Sequence, residues 1–257
     1  MRKRLISTLA LGAIIAMVVG GLAVAKTYPP TVVKAGDLVL TLNGGFTPTA
    51  LPKSGKPAPI TLNVSGKINT SNGTHPPALQ EAIVETDKNG SIDVKGLPTC
   101  TSGKLQATDT AAAEKACKNA IIGTGTTDVE VEFPEQKPFI AKSKLLAING
   151  GVSGGKTTIL IHAYLSSPVS AAVVTTVKIS KIHNGRFGTK SIASIPKIAG
   201  GYGSVRSFSL VFSRGFKNTP YLFAKCPDGH LNAKATAVFS DGTHLTGDFV
   251  RSCTPKG

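Results

Sequence analysis

Alternation of apolar and polar residues is the dominant pattern along this chain, and such alternation predicts β-strands with one buried face. Residues 60–68 place Ile60, Leu62, Val64 and Ile68 on one face and polar side chains on the other. Residues 37–43, 127–133 and 202–213 alternate in the same way. About a dozen such segments, separated by turn signals, predict an all-β protein folded as an antiparallel, jelly-roll-like β-sandwich.

Two stretches carry more specific expectations. Residues 157–165 (TTILIHAYL) are apolar on both faces, which predicts a central strand covered on both sides. Asn89-Gly90 lies between apolar segments 78–86 and 91–95, and this dipeptide is a strong hairpin signal. We therefore expect the two segments to pair across it.

One short helix interrupts the β pattern. Residues 110–119 are rich in alanine, and Asp109 is well placed to cap the first turn. Cys100 precedes this helix and Cys117 lies in its last turn. A bridge between them would clamp the helix onto the chain that leads into it.

The N-terminal residues have the three-part layout of a secretory signal peptide: a basic start, an apolar run and Ala-Val-Ala at 23–25. Residues 1–25 are therefore predicted to be cleaved, an uncleaved N-terminal anchor being the alternative. We expect a secreted or extracytoplasmic protein. Residues 26–257 are predicted to form a single domain, with a sub-boundary near 136 as the alternative.

Four cysteines in an exported chain predict two disulfides rather than a metal site. Three pairings are possible. Cys100–Cys117 and Cys226–Cys253 are expected, because each closes a local loop between elements that should already be neighbours.

Charge is distributed unevenly. Residues 26–136 hold 10 basic and 11 acidic side chains, whereas residues 137–257 hold 16 basic and 3 acidic ones. This asymmetry suggests that the second half faces a polyanion, for which anionic wall polymer, an anionic lipid surface and extracellular nucleic acid are the candidates. A lysine-rich surface that only confers solubility is the alternative.

Residues 150–157 match the P-loop pattern, and residues 151–155 match the G-x-S-x-G nucleophile elbow. Both motifs need a helix immediately afterwards, to present free N–H groups or an exposed serine. The β-branched run after Lys156 predicts a strand instead. We interpret the segment as a glycine-rich hairpin loop, so no nucleotide is expected.

No catalytic, cofactor-binding or metal-binding residue is assigned from the sequence. The five histidines are not brought together by local structure, although His162 and His244 are the ones to inspect for a site assembled from distant parts of the chain. Glu130 and Glu132 share one face of a strand and are interpreted as an acidic solvent face. The chain has no tryptophan, which disfavours an aromatic platform for sugars or single-stranded nucleic acid.

Three blocks carry a family resemblance: residues 96–126, residues 144–151 and residues 222–255. Together they resemble a group of uncharacterised exported proteins of high-GC Gram-positive bacteria, of actinobacterial type. The resemblance implies an exported, disulfide-bonded β protein, and it implies no activity.

These observations predict an exported, non-enzymatic β-sandwich associated with the cell envelope through its basic C-terminal half. The alternative is an exported hydrolase whose site is assembled from distant loops. A third hypothesis is an adhesin-like subunit that associates through its edge strands.

Overall fold

The computed structural model describes residues 28–166 and 170–257. The first half contains β1 Thr31–Ala35, β2 Leu38–Thr47, β3 Ala50–Pro52, β4 Ala58–Pro59, β5 Thr61–Thr70, β6 Leu79–Asp87, β7 Gly90–Ile92, α1 Thr110–Cys117 and β8 Ile121–Val131. The second half contains β9 Phe139–Ser153, β10 Lys156–Leu165, β11 Ala171–Asn184, β12 Phe187–Ser194, β13 Gly203–Phe212, β14 Leu222–Ala224, β15 His230–Phe239, β16 His244–Ser252 and β17 Thr254–Lys256.

Twelve strands form one antiparallel sheet in the order β1-β2-β5-β13-β8-β9-β10-β11-β12-β6-β15-β16. The two edge strands, β1 and β16, lie next to each other. The Thr31 hydroxyl on β1 donates to the Asp248 carbonyl on β16 at 3.4 Å. The sheet is therefore nearly barrel-shaped. The prediction of an all-β antiparallel protein with one short helix is confirmed, but the sheet is not clearly the expected jelly-roll sandwich, since a single continuous sheet curls round to meet itself.

A seam between β1 and β16 is held by side chains rather than by a strand ladder. Near one end of the seam, the Arg251 side chain on β16 crosses to β2, where its Nε donates to the Gly44 carbonyl at 2.5 Å. The Tyr28 hydroxyl donates to the Ser252 carbonyl at 2.6 Å at the same end. Arg251 thus fastens β16 to β2 beyond the point where β1 stops pairing with β2.

The central strand β10 is covered on both faces, as its sequence predicts. Its inward side chains, such as Ile159 and Ala163, join the main hydrophobic core. Its outward Leu160 packs under α1 and the Cys100–Cys117 disulfide. Asp109 caps α1 as expected, since its carboxylate accepts a hydrogen bond from the Ala112 N–H at 2.7 Å. The helical segment therefore acts as an external cover on the sheet.

A small three-stranded sheet, β4-β14-β7, covers one end of the large sheet. The second disulfide, Cys226–Cys253, joins the chain after β14 to the end of β16, and both bonds join the cysteines expected from the sequence. The predicted Asn89-Gly90 hairpin is wrong. β6 pairs with β12 and β15, whereas β7 leaves the large sheet to pair with β14.

The glycine-rich segment is a hairpin turn, as interpreted from the sequence. β9 continues to Ser153, β10 begins at Lys156, and Lys156 pairs with Ser153 across Gly154-Gly155. Strand β10, rather than a helix, begins at Lys156, so the segment offers neither a helix N-terminus to a phosphate nor a nucleophile elbow.

The predicted signal peptide, residues 1–25, lies outside the described residues. Among the residues that are described, no helix has the length and apolar character required to cross a membrane. The single-domain assignment stays a prediction, although β8 and β9 pair from one side of residue 136 to the other.

Candidate functional site

The inward face of the curved sheet borders a partly open cavity of about 490 Å³. Its walls are the inward faces of the strands of the large sheet, and the covering sheet contributes Ile92, Leu222 and Phe223. The wall is mostly aliphatic and aromatic; it includes Leu42, Leu62, Val64, Val84, Leu145, Ile161, Val173, Val177, Ile179, Ala193, Phe208, Leu210, Phe212, Ala233, Ala235 and Phe249. A cavity of this size and character is typical of a site for a small apolar ligand.

The inward-facing space is larger than an ordinary core contains. Protein interiors are close-packed, with few voids larger than a water molecule. A space of about 490 Å³ lined mostly by apolar side chains is therefore the candidate binding site among the described residues.

The polar groups on the cavity wall include Asn43, Asp87, Asn232 and Arg251. Both oxygens of the Asp87 carboxylate accept hydrogen bonds from other groups of the protein. Its Oδ1 accepts from the backbone N–H and side-chain NH₂ of Asn89, at 3.0 and 2.8 Å. Its Oδ2 accepts from Arg186 Nε at 2.9 Å and from the Asn232 N–H at 3.1 Å. A carboxylate has about four acceptor positions, so Asp87 has none left for a ligand.

Arg186 connects this end of the cavity to the loop before β15. Its guanidinium contacts Asp228 at 2.8 Å as well as Asp87. The hydrogen bond to Asp228 raises the pKa of Arg186, and the same bond lowers the pKa of Asp228. The network binds strand ends and loops together, and we assign it to the fold.

A second cluster, on the outer face of the sheet, joins His75, Glu130 and Ser204. His75 Nδ1 is 2.8 Å from Glu130 Oε1, and His75 Nε2 is 2.9 Å from Ser204 Oγ. Distances of this kind match a serine–histidine–carboxylate array. Glu130 also accepts from Arg206 Nη1 at 3.2 Å, so its interpretation as part of a purely solvated acidic face is wrong.

The same cluster lacks two properties of a nucleophile. Ser204 is only 2% exposed, beneath the loop that carries His75. Its hydroxyl also donates to the Pro76 carbonyl at 2.7 Å, which takes the single proton that a catalytic histidine would have to accept. This geometry fits a strap that fastens the β5–β6 loop to β8 and β13.

No local signal in the sequence could have revealed this cluster, because His75 and Ser204 are separated by 129 residues. The two histidines singled out from the sequence are elsewhere. His244 is exposed at the start of β16, where its backbone pairs with Val238. His162 is fully buried on the outer face of β10, beneath the loop before α1.

One ring nitrogen of His162 is hydrogen-bonded and the other is buried. Its Nε2 lies 2.9 Å from the Thr108 carbonyl, which can only accept, so Nε2 carries the proton. Its Nδ1 is buried and has no hydrogen-bond partner among the residues described. Burial lowers the pKa of His162, against the opposing effects of the Thr108 carbonyl and the Asp109 charge. His162 is thus a core residue rather than a ligand-binding one.

The lowered pKa predicts an acid-sensitive fold. Below the unfolded-state value of about 6.5, the unfolded chain takes up a proton at His162 that the folded chain does not, so stability falls as pH drops. The contribution of His162 to the free energy of unfolding is fully present above that pH. Urea unfolding of wild type and His162→Gln between neutral and mildly acidic pH measures this contribution. We expect the wild type to lose more stability than the variant over that range; equal pH dependence would contradict the assignment.

Within residues 28–166 and 170–257, no group of three or more His, Cys, Asp or Glu side chains is arranged to hold a metal ion. No protein-family model, curated protein or solved structure matches this chain.

Proposed function

We propose that this protein is an exported, non-enzymatic binding protein that holds an apolar small molecule inside its curved sheet. The cavity of about 490 Å³, with its largely apolar wall, is the observation that supports this function most strongly. Two disulfides support an extracytoplasmic location, since such bonds persist in oxidising compartments. Secretion itself, and membership of the actinobacterial-type group that the sequence resembles, are part of the same proposal.

Titration with the neutral fluorescent probe N-phenyl-1-naphthylamine tests the binding function. The chain has no tryptophan that could quench or transfer energy to the probe, so the change in probe emission is straightforward to interpret. We expect saturable binding at this cavity, with about one probe per protein. Emission that rises without saturation, or that does not rise, would contradict the proposal.

We also propose that the basic C-terminal half attaches the protein to anionic wall polymer at the cell envelope. The excess of basic over acidic side chains after residue 136 supports this attachment. Lys156 and Lys178 are exposed beside a polar groove on the outer face of β10, β11 and β12, away from the cavity. Attachment through the outer face would leave the interior free for a ligand.

Charge reversal tests the attachment. The double substitution of Lys156 and Lys178 by glutamate should reduce retention on purified anionic wall polymer at low salt, and high salt should reduce retention of the wild type. Salt has this effect because it shortens the range of attraction between exposed charges. Reversal of Lys53 and Lys56, which are exposed in the first half, is the matched control and should change retention less. Retention that is indifferent to salt would overturn the attachment, and retention only on anionic vesicles would favour a lipid surface.

A hydrolase remains the second candidate function, and the His75–Glu130–Ser204 cluster is the observation that favours it. Reaction with a fluorophosphonate distinguishes the two functions. Covalent labelling of Ser204 would support a hydrolase. We expect no labelling, because the serine hydroxyl is buried and donates to the Pro76 carbonyl.

A further inference from the structure

We propose that the ligand of the cavity is a long-chain monocarboxylate and that Arg251 contacts its carboxylate group. This inference rests on the proposed binding function and adds the chemical class of the ligand. It follows from the guanidinium of Arg251, which is the one arginine among the described residues that line the cavity, from its surroundings, and from the apolar character of the remaining wall.

Arg251 is nearly buried, with 9% of its surface exposed, and it lines the cavity near the end covered by the small sheet. Its hydrogen bonds go to neutral oxygens. Nε donates to the Gly44 carbonyl at 2.5 Å, Nη1 to the Val250 carbonyl at 3.1 Å and Nη2 to Asn43 Oδ1 at 3.4 Å. Two aromatic rings, Tyr28 and Phe249, lie 4.9 and 5.4 Å from its guanidinium carbon.

No carboxylate neutralises this cation. None of the ion pairs among the described residues includes Arg251, and the sequence has no aspartate or glutamate in residues 1–27 or 167–169. Asp87, the carboxylate on the same cavity wall, is saturated by Arg186, Asn89 and Asn232. Buried charges in proteins are normally paired, because an unpaired charge is costly to remove from water. An anionic ligand group would supply the missing partner.

The donors that remain match a carboxylate. Arginine has five N–H donors, of which three are used by the protein, and its planar fork suits the two oxygens of a carboxylate. Asn43 uses its Oδ1 to accept from the Gly44 N–H and from Arg251, so its NH₂ group is available as a further donor. One unpaired cation calls for one negative charge, and the aliphatic wall calls for a hydrocarbon chain attached to it. A monocarboxylate with a long chain satisfies both requirements.

Calorimetric titration with dodecanoate and dodecanol, which share one chain length, tests the inference on the folded wild-type protein. A charge-assisted pair predicts that dodecanoate binds roughly 10-fold to 100-fold more tightly than dodecanol. This preference should disappear as the pH falls through the pKa of a carboxylic acid, roughly 4–5. Equal affinities at neutral pH would overturn the inference while leaving the cavity function intact. Failure of both compounds to bind would overturn the cavity function itself.

Arg251 also fastens β16 to β2, so its variants must separate charge from fold. Arg251→Met should lose the preference for dodecanoate over dodecanol, so the ratio of the two affinities is the readout, whatever the substitution does to the affinity that the two compounds share. Arg251→Lys keeps the charge without the planar fork and should retain part of the preference. If Arg251 had only a structural role, Arg251→Met would lower the affinities for dodecanoate and dodecanol by the same factor. That result would contradict the assignment. If Arg251→Met does not fold, the wild-type preference, its pH dependence and Arg251→Lys decide the question.

Discussion

Replacing Ala235 by phenylalanine should abolish high-affinity binding of a neutral apolar probe while leaving the protein folded. Ala235 lies on the inward face of β15, between Val84 on β6 and Gly247 on β16, and lines the cavity. A phenyl ring at this position enters the space that a ligand would occupy, and we expect affinity to fall by at least about tenfold. Fluorescence titration with N-phenyl-1-naphthylamine measures the loss.

The same variant tests whether the cavity is empty in the free protein. In a filled core an added ring costs about 1–3 kcal/mol, whereas burial of the ring in a void is stabilising. Urea unfolding of Ala235→Phe should therefore show unchanged or higher stability. Thr236→Phe is the control, because it places the same ring on the outer face of the same strand, where the Thr236 hydroxyl shares a hydrogen bond with the Thr246 hydroxyl. This variant should bind the probe as the wild type does. Wild-type affinity in Ala235→Phe, or a loss of stability typical of overpacking, would contradict an internal site.

Replacing Gly125 by alanine should destabilise the large sheet severely. Gly125 pairs with Leu210 where β8 meets β13, and a Cβ at this position would lie 1.8 Å from the Ser209 carbonyl oxygen. The obstacle is backbone within a strand ladder, so neither strand can move aside without losing hydrogen bonds. We expect a loss of about 3 kcal/mol or more, measured by urea unfolding.

Gly103→Ala is the matched control for Gly125→Ala. Nothing lies within 4 Å of a Cβ at Gly103, and its backbone is not in the left-handed region. We expect its stability to differ little from that of the wild type. A Gly125→Ala protein as stable as the Gly103→Ala protein would show that β8 and β13 do not meet in the register described here.

The elements that depend on neighbouring residues could be predicted from the sequence. Alternation over residues 60–68 predicted β5 because side chains in a strand point to opposite faces in turn. Asp109 predicted the start of α1 because its short carboxylate reaches the first free N–H groups of a helix. Residues 157–165 predicted a strand covered on both faces, and α1 supplies the outer cover.

The arrangement of those strands could not be predicted in the same way. The Asn89-Gly90 signal favoured a hairpin, but the Asp87 carboxylate binds the backbone and side chain of Asn89 and directs the chain out of the large sheet. Pairings such as β5 with β13, or β6 with β15, join segments that are far apart in the sequence. The curl of the sheet into a nearly closed shape follows from those distant pairings.

The pattern of apolar residues in the sequence could not reveal the cavity, and the reason is physical. Val177 and Phe208 alternate with polar neighbours in the same way whether their side chains pack against an opposing layer or line a space. The sequence therefore predicts which side chains point inward, whereas the separation of the opposite walls depends on the number of strands and on their closure. Arg251 is equally inconspicuous, as one of the many basic residues after residue 136.

A crystal structure of the wild-type protein soaked with dodecanol tests the central claim most directly. The account predicts electron density for the hydrocarbon chain inside the sheet, in contact with Val177, Phe208 and other side chains of the cavity wall. An interior filled by inward-collapsed side chains, or dodecanol bound only at the outer surface, would contradict it.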